Sequence, residues 1–174
     1  LAQVYIPEQK LHDGVVEIAI LLGVLGRVEL NYDPATPVSK ARIQAQLDRL
    51  QTGVVLRTAV LERVLFLLND LHGVRARSTI RPGNTPGTAD LIVDVTPDTT
   101  VGGSLQLDTM GSRFTGLYRA MGGISIGSPL GIGDSLSFRG IYGEDSGINF
   151  GSVSYVAPVG TDGWRLGEIG RAHV

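Results

Sequence analysis

The sequence predicts an α+β unit followed by a region of antiparallel strands, and three observations lead to this prediction. An apolar helix, a strand, a turn and a second strand follow one another in Leu50–Val95. From Thr99 onward, apolar residues recur at every second position, which is the period of a half-buried strand. Glycine also becomes more frequent, because 16 of the 24 glycines lie in Asp98–Gly167 and seven lie before it. We therefore expect a change of architecture near Pro97.

The α+β unit is predicted to have the order strand, helix, helix, strand, strand. Alternation in Arg27–Tyr32 predicts the first strand, and Ser39 is a suitable N-cap for a first helix. Apolar residues at helical spacing continue to Leu50, and Gly53 is expected to end this helix. Two helices packed on one face of a three-stranded sheet would form a compact α+β domain.

A hairpin is predicted before this unit. Gln3–Ile6 and Val15–Leu22 are apolar and rich in strand-forming residues, and the segment Pro7–Gly14 between them is rich in breakers. Only two residues precede the hairpin, so they cannot supply the other elements of the module that it would close. We therefore interpret it as the end of an earlier module whose start lies outside this chain.

The second helix and the hairpin after it carry the clearest pattern. Gly73 follows the helix and suits a left-handed C-terminal cap, and the strands Val74–Ile80 and Thr88–Val95 flank a turn at Arg81–Gly87. The apolar face of the helix is predicted to consist of Val60, Leu61, Val64, Leu65, Leu68 and Leu71. In the last strand, Leu91, Val93 and Val95 are expected to face the core, opposite Asp90, Ile92 and Asp94.

Four strands are predicted after Thr99, near residues 101–107, 114–126, 136–142 and 147–157. The last run changes phase after Phe150, which predicts a bulge or a bend. Each strand has an apolar, aromatic face and a small or polar face. This pattern is typical of a transmembrane β-barrel, but a soluble antiparallel sandwich alternates in a similar way. The alternation by itself leaves both architectures open.

Composition and motifs give no support for an enzyme, a metal protein or a nucleic-acid binder. The net charge is -2, the chain has no cysteine, and His12 and His72 are isolated. Glycine-rich segments lead into no predicted helix and have no lysine nearby, so no nucleotide-phosphate loop is expected. Ser125 lies in a GxSxG pattern, but a nucleophile elbow needs a helix after the serine. We expect no catalytic residue, no metal and no cofactor.

The strand Val74–Ile80 is predicted to lie at an edge of its sheet. An open edge can accept a strand from a partner through backbone hydrogen bonds. Alternatively, the arginines of this strand merely protect the edge, by pairing with aspartates of the neighbouring strand. If the edge binds a partner, Arg77→Pro is expected to remove a backbone donor there. The candidate partner-binding residues are Val74, Arg75, Ala76, Arg77, Ser78, Thr79 and Ile80.

The last seven residues, Glu168–Val174, fit neither of the two patterns. They match the translation of a common sequencing-adapter sequence. We therefore predict that this tail is not natural protein, and we assign no function to His173.

The chain resembles the outer-membrane transporters of two-partner secretion, the haemolysin-activator and filamentous-haemagglutinin-transporter family. The resemblance lies in Val4–Leu30, Leu50–Val74, Ile80–Val95 and Leu105–Asp134. It implies the end of a truncated first POTRA module at residues 1–23 and a second POTRA module at 24–97. It also implies the first strands of an outer-membrane β-barrel at 98–167, before the tail at 168–174.

The resemblance further implies a transporter and not an enzyme, located in the bacterial outer membrane with its POTRA modules in the periplasm. Those modules would bind the N-terminal secretion domain of a large exoprotein, and the barrel would contact outer-membrane lipid, without nucleotide or nucleic acid. Lipid-facing residues would be Leu105, Leu107, Tyr118, Leu136 and Phe138. Lumen-facing residues would be Gln106, Asp108, Arg119 and Arg139.

Two other functions remain as alternatives. The first is an assembly or insertion factor of the same superfamily, which would insert other outer-membrane proteins. The second is a soluble α+β binding module fused to a β-sandwich. A hydrolase that uses Ser125 is a weaker hypothesis still, for the reason given above.

Overall fold

The structure is a computed structural model that describes residues 2–5, 16, 19–109, 117–144 and 149–173. It begins with a hairpin in which β1 (Ala2–Tyr5) pairs with β2 (Ala19–Leu22) in antiparallel register. The predicted hairpin lies here, although Ile6 and Val15 are outside the described residues. No helix within the described ranges is long and apolar enough to cross a membrane.

The α+β unit consists of β3 (Val24–Tyr32), α1 (Lys40–Leu47), α2 (Thr58–Asn69), β4 (Val74–Pro82) and β5 (Thr88–Pro97). Its three-stranded sheet has the order β3-β5-β4. The central strand β5 is parallel to β3 and antiparallel to β4. Because β5 occupies the centre, both β3 and β4 are edge strands.

The core of this unit lies between the two helices and one face of the sheet. On β5, Leu91, Val93 and Val95 are buried, and the alternate residues are half-buried on the opposite face, as their spacing predicts. The buried apolar residues of the helices and their connections are Val38, Ile43, Leu47, Leu50, Leu56, Leu61, Val64, Leu68 and Leu71. This single cluster holds the helices against the sheet by burial of apolar area.

Three details of the helices differ from the sequence prediction. Val60, expected in the apolar face of α2, is 44% exposed, whereas its neighbour Leu61 is buried. The helix α1 ends at Leu47, and Gly53, with a φ of 81°, belongs to the connection beyond it. Ser39 occupies the N-cap position but makes no side-chain cap bond, and its amide donates to Gly131 O at 3.2 Å.

The second part of the chain is a five-stranded antiparallel sheet in the order β10-β9-β8-β7-β6. Its strands are β6 (Val101–Asp108), β7 (Arg119–Gly127), β8 (Ser135–Gly143), β9 (Asn149–Val159) and β10 (Trp164–His173). The sequence prediction of four strands is therefore one too few. The predicted bulge is also wrong for the described residues, because β8 and β9 pair without a register shift through Asn149–Val156. Phe150 simply lies on the other face from Val153.

The fifth strand includes most of the tail that the sequence analysis set aside. Residues 168–173 pair with β9, so their backbone continues the sheet. Their side-chain pattern does not: Glu168 lies across from Tyr155, on the same face as Leu166. The apolar face of β10 thus ends at a carboxylate. The non-natural origin of this tail stays a prediction.

The two parts of the chain contact each other through the helices of the unit and two turns of the sheet. Arg42, at the start of α1, donates to Pro158 O at 3.1 Å and Gly160 O at 3.0 Å. Leu71, after α2, packs on Gly133, where an added Cβ would lie 2.6 Å from a Leu71 methyl carbon. These turns join β9 to β10 and β7 to β8, so both helices lie at one end of the five-stranded sheet.

Candidate functional site

The backbone N–H and C=O groups of successive β4 residues point alternately toward β5 and away from the sheet. Gly73 O accepts from Asp98 N, and Gly83 N donates to Thr88 O, so the odd-numbered residues between them direct their backbone groups at β5. The even-numbered residues direct theirs away from the sheet. Arg77 is therefore a ladder residue, across from Asp94. The expectation that Arg77→Pro would remove an edge donor is wrong, because that donor faces β5.

Part of the outward backbone of β4 is already occupied by the protein itself. Val74 N donates to Leu71 O at 3.2 Å. Ala76 N donates to the Asn69 side-chain oxygen at 2.8 Å, and Ala76 O accepts from the Asn69 side-chain nitrogen at 3.0 Å. Pro82, at the other end of the strand, has no N–H to offer.

The outward groups that remain belong to Ser78 and Ile80. Among the described residues, none bonds to the outward N–H or C=O of either. We call these two residues the open edge. The predicted partner-binding segment Val74–Ile80 does lie on an edge strand, but its first half is already satisfied by Leu71 and Asn69.

Asn69 is the residue that the sequence analysis missed. It is the last residue of α2, and its amide nitrogen also donates to Leu65 O at 3.0 Å. An asparagine at a helix end is ordinary in a sequence, because its side chain competes for backbone hydrogen bonds. Only the packing of α2 beside β4 shows that its partner is an edge strand.

The outer face of the sheet, which the helices do not cover, carries charged residues. Arg27 pairs with Asp90 at 3.0 Å, and Arg75 pairs with Asp98 at 2.8 Å. The pKa of Asp98 lies below its ordinary value, because the Thr99 amide and then the Arg75 guanidinium donate to the carboxylate.

The predicted pairing of arginines on β4 with aspartates on β5 is only partly present. The register sets Arg77 across from Asp94 and Arg81 across from Asp90. Asp90 instead binds Arg27, and Asp94 accepts from the Asn31 amide at 2.8 Å. Within the part of the chain that the structure describes, Arg77 and Arg81 contact no carboxylate. Both are exposed and flank the open edge.

The helix side of the open edge carries Ser78 and the apolar side chain of Ile80. Ile80 and Leu65 are partly buried and pack against the core. Phe66, which precedes Asn69 by one helical turn, is 71% exposed. The open edge thus has cations on one face and apolar side chains on the other.

The five-stranded sheet is two-faced. The register places Gln106, Asp108, Arg119 and Arg139 on one face, and Asp108 accepts from Arg119 at 2.9 Å. Leu105, Leu107, Leu136 and Phe138 share the opposite face, and Tyr118 precedes β7. Leu105 and Leu107 are 78% and 74% exposed. A row of large apolar side chains so exposed is typical of a surface covered by lipid or protein.

The chemistry of these residues gives no support for catalysis. Ser125 lies on the polar face of β7, and its hydroxyl donates to Gly102 O at 3.4 Å. In the described ranges, no three histidine, aspartate or glutamate side chains are grouped as metal ligands.

Comparison with curated proteins identifies similar chains among outer-membrane transporters. The chain is 23% identical over 167 residues to the heme/hemopexin transporter protein HuxB of Haemophilus influenzae, covering 96% of this chain and 29% of that protein. It is 26% identical over 166 residues to the outer-membrane transporter CdiB-2 of Burkholderia pseudomallei, covering 94% of this chain and 26% of that protein. This chain therefore spans less than a third of the curated relatives. No protein-family model matches it.

Solved structures have the same fold. CdiB from Acinetobacter baumannii superposes with a TM-score of 0.60 at 24% identity, over 97% of this chain and 31% of that one. CdiB from Escherichia coli gives 0.59 at 22% identity, over 98% and 35%. BamA from Haemophilus ducreyi, in a form that lacks POTRA domains 1–3, gives 0.55 at 19% identity, over 97% and 32%. These proteins share both the small α+β unit and the sheet that follows it.

Two independent lines thus agree, one from sequence and one from fold. HuxB and CdiB are named as transporters, and the outer-membrane location named for CdiB is consistent with placing this chain in the outer membrane. The chain is a partial-length homologue of the two-partner secretion outer-membrane transporters of the HuxB and CdiB type.

Proposed function

We propose that this chain is the part of a two-partner secretion transporter that receives an exoprotein in the periplasm and delivers it to a β-barrel. Residues 24–97 form the second POTRA module, and residues 1–23 are the end of the first. Residues 98–167 form the first strands of the barrel. The exoprotein enters by its N-terminal secretion domain, and no nucleotide or cofactor takes part.

The two-faced sheet is the single observation that carries this proposal. Its exposed apolar face, with Leu105 and Leu107, suits lipid, and its polar face, with Asp108 and Arg119, suits a water-filled lumen. A five-stranded sheet of this kind leaves unpaired edges, which further strands of a closed barrel would satisfy. The contacts of both helices with turns at one end of the sheet support a position of the module beside the mouth of such a barrel.

The edge of β4 is the proposed recognition surface of the module. Strand addition needs free backbone groups along an edge, and Ser78 and Ile80 have them. The strand is also exposed to solvent on its outer face at Arg77 and Thr79. The other edge of the sheet is partly covered, since Leu25 N donates to Val54 O at 2.9 Å and Gly53 N donates to Leu25 O at 2.8 Å.

Secretion of an exoprotein tests this proposal. The full-length transporter and its genetic partner would be expressed in cells, and exoprotein in the medium would be measured. Ser78→Pro removes an outward N–H, so we expect secretion to fall about tenfold, since a hydrogen bond is worth roughly 1 kcal/mol and the ring also displaces the incoming strand. Ser78→Ala keeps the backbone and should secrete normally.

The amount of folded barrel is the control in both variants, measured by its heat-modifiable migration in gels. Equal secretion by Ser78→Pro and Ser78→Ala, at equal amounts of folded barrel, would contradict recognition at this edge. Absence of any secreted partner with the wild-type transporter would contradict the transport function itself.

An assembly or insertion factor is a second candidate, and the fold similarity to BamA favours it. The two functions differ in what accumulates when the gene is deleted. A secretion transporter leaves one exoprotein inside the cell, whereas an assembly factor lowers the amount of many outer-membrane proteins. The soluble α+β module fused to a β-sandwich is the third candidate, and the protein would then fractionate with the periplasm and not with membranes.

A further inference from the structure

The open edge is asymmetric, and this asymmetry specifies the chemistry of a strand that could bind there. On the outer face of β4, Arg77 and Arg81 lie on either side of Thr79 and have no carboxylate partner among the described residues. On the helix side, the side chain of Ile80 is partly buried against the core. An added strand would therefore meet cations on one face and apolar groups on the other.

The length of the bound segment is limited by the protein itself. A strand that added beside Ser78 and Ile80 would form backbone bonds with both. It could not continue to Ala76, because the Asn69 amide already bonds that residue's N–H and C=O. It would gain no donor at Pro82. The usable register is thus the stretch that faces Arg77–Arg81.

Alternation of side chains assigns each position of that segment to one face. Residues across from Arg77 and Arg81 lie on the outer face, close enough for cross-strand ion pairs. Residues across from Ser78 and Ile80 lie on the helix side. The pattern reads the same in both chain directions, so it holds for parallel and for antiparallel addition.

We infer that the open edge selects an extended segment of the exoprotein with acidic residues at both ends, across from Arg77 and Arg81, and apolar residues across from Ser78 and Ile80. This inference rests on the proposed function, because it names the partner chemistry of the same surface. Asn69 occupies the backbone of Ala76 and thereby limits the register in which the segment can pair with β4. The pair of cations supplies selectivity, and the backbone of Ser78 and Ile80 supplies the binding geometry.

Equilibrium thiol exchange on the full-length transporter tests the inference with short synthetic probes. Thr79→Cys provides a thiol at the centre of the edge; residues 1–174 contain no cysteine, and any cysteine elsewhere in the full-length transporter is first replaced by serine. The first probe is the capped peptide Asp-Val-Cys-Val-Asp, whose acids fall on the outer face. The second, Val-Asp-Cys-Asp-Val, has the same composition and charge with its faces exchanged. The third, Lys-Val-Cys-Val-Lys, has basic ends.

The measured quantity is the concentration of reductant at which half of each disulfide adduct is lost. We expect the first peptide to withstand about tenfold more reductant than the second, since only it places carboxylates and valines on their matching faces. In the Arg77→Glu/Arg81→Glu background, the basic peptide should take the place of the first. At a control thiol, Asn84→Cys in the exposed β4–β5 turn, the first two peptides should be equal.

Equal retention of the first two peptides at Thr79→Cys would overturn the inference, because net charge alone would then explain binding. So would an unchanged preference after the arginines are reversed. These results are separable from failure of the proposed function. If Ser78→Pro abolishes secretion but the peptides show no preference, recognition at the edge stands and the acidic–apolar pattern falls. If the preference is present but Ser78→Pro secretes normally, the edge binds such segments without serving in transport.

Discussion

The side-chain amide of Asn69 bonds the backbone of Ala76 as a neighbouring strand would. Its oxygen accepts from Ala76 N at 2.8 Å, and its nitrogen donates to Ala76 O at 3.0 Å. Both groups of Ala76 point away from the sheet, so without Asn69 they would be unpaired beside the apolar helix α2. The outward backbone groups of β4 are therefore occupied at Ala76 and free at Ser78 and Ile80, the next two residues that face away from β5.

Replacement of this amide is expected to open the edge and weaken the module. Asn69→Ala leaves Ala76 N–H and C=O without partners, which costs roughly 1–3 kcal/mol when the groups are partly buried. Hydrogen exchange of the full-length transporter should then show faster exchange in β4, beginning at Ala76. Asn84→Ala, in the exposed turn, is the matched control and should leave β4 unchanged. Protection of Ala76 that survives in Asn69→Ala would contradict the role given to this side chain.

Arg42 is expected to hold the module to the β9–β10 turn more strongly than Arg49. Arg42 is half-buried and donates to two carbonyl oxygens, those of Pro158 and Gly160. Arg49 donates to Thr161 O at 2.8 Å and pairs with Asp162 at 2.5 Å, but these contacts are exposed, and exposed ion pairs contribute about 0–1 kcal/mol. Hydrogen exchange in the turn should rise clearly in Arg42→Ala and little in Arg49→Ala.

Arg42→Lys is the conservative control for this prediction, because it keeps the charge but replaces the planar guanidinium, whose Nη2 donates to both carbonyls, by an ammonium on a flexible stem. It should fall between wild type and Arg42→Ala. Exchange in the turn that rises equally in the two alanine variants would mean that the burial of Arg42 and its second carbonyl contact add nothing to the attachment of the turn.

The buried carboxylate of Asp134 is expected to depend on Tyr155. Asp134 is fully buried and accepts from Tyr155 OH at 2.9 Å and from Leu130 N at 3.3 Å. Tyr155→Phe leaves the charge in place with one donor fewer, so it should cost about 1–3 kcal/mol, because a buried charge without its donor is costly. The temperature at which the folded barrel converts to the unfolded gel band should fall.

The double variant distinguishes this pair from a general packing loss. Asp134→Asn combined with Tyr155→Phe removes the charge together with its donor, and the combined loss should be smaller than the sum of the single losses. Strict additivity would show that the two side chains act independently.

The carboxyl of Asp98 is expected to titrate below the usual range for aspartate, and more because of Thr99 than because of Arg75. The Thr99 amide is the largest cause of its lowered pKa, and the Arg75 hydrogen bond adds to it. Carboxyl chemical shifts in the full-length protein should therefore show a pKa below the free value of about 3.9. Arg75→Ala should raise this pKa only part of the way.

The same shift fixes the direction of its effect on stability. A pKa lowered in the folded state contributes stability that is present above the ordinary pKa of aspartate and lost as the pH falls through the lower folded value. Asp98→Asn should remove this acid-dependent part and leave the rest of the pH profile unchanged. A pKa of Asp98 at or above the free value would contradict the hydrogen-bond pattern at the end of β5.

Several elements could be predicted from the sequence because their causes are local. The helical spacing of Leu61, Val64 and Leu68 predicts a buried stripe, and these three residues are buried. Gly73 adopts a φ of 83°, the expected left-handed conformation, although it lies in the turn before β4 and the C-cap of α2 is Asp70. The alternation of Leu91, Val93 and Val95 predicts which face of β5 is buried. The likeness to two-partner secretion transporters was also recognisable, since it depends on sequence segments alone.

Other features depend on contacts between residues far apart in the chain. The fifth strand was missed because its second half lacks the apolar alternation and is held by backbone pairing with β9. Of the predicted Arg–Asp pairs, those of Arg77 and Arg81 are absent, because residues of β3 bind both aspartates: Arg27 pairs with Asp90, and Asn31 donates to Asp94. In each case the residue or strand that decides the outcome belongs to another element, so no local sequence pattern could reveal it.

The sequence by itself determined the apolar faces, the turn positions and the similarity to two-partner secretion transporters. These follow from the spacing of apolar residues and from the identity of neighbouring residues. The tertiary structure alone decided which backbone groups of β4 remain free. That outcome depends on the register with β5, which decides which β4 residues face outward, and on the packing of α2, which brings Asn69 against Ala76. Strand register and helix packing are properties of the folded sheet and helices. The open edge at Ser78 and Ile80 therefore exists only in the folded unit.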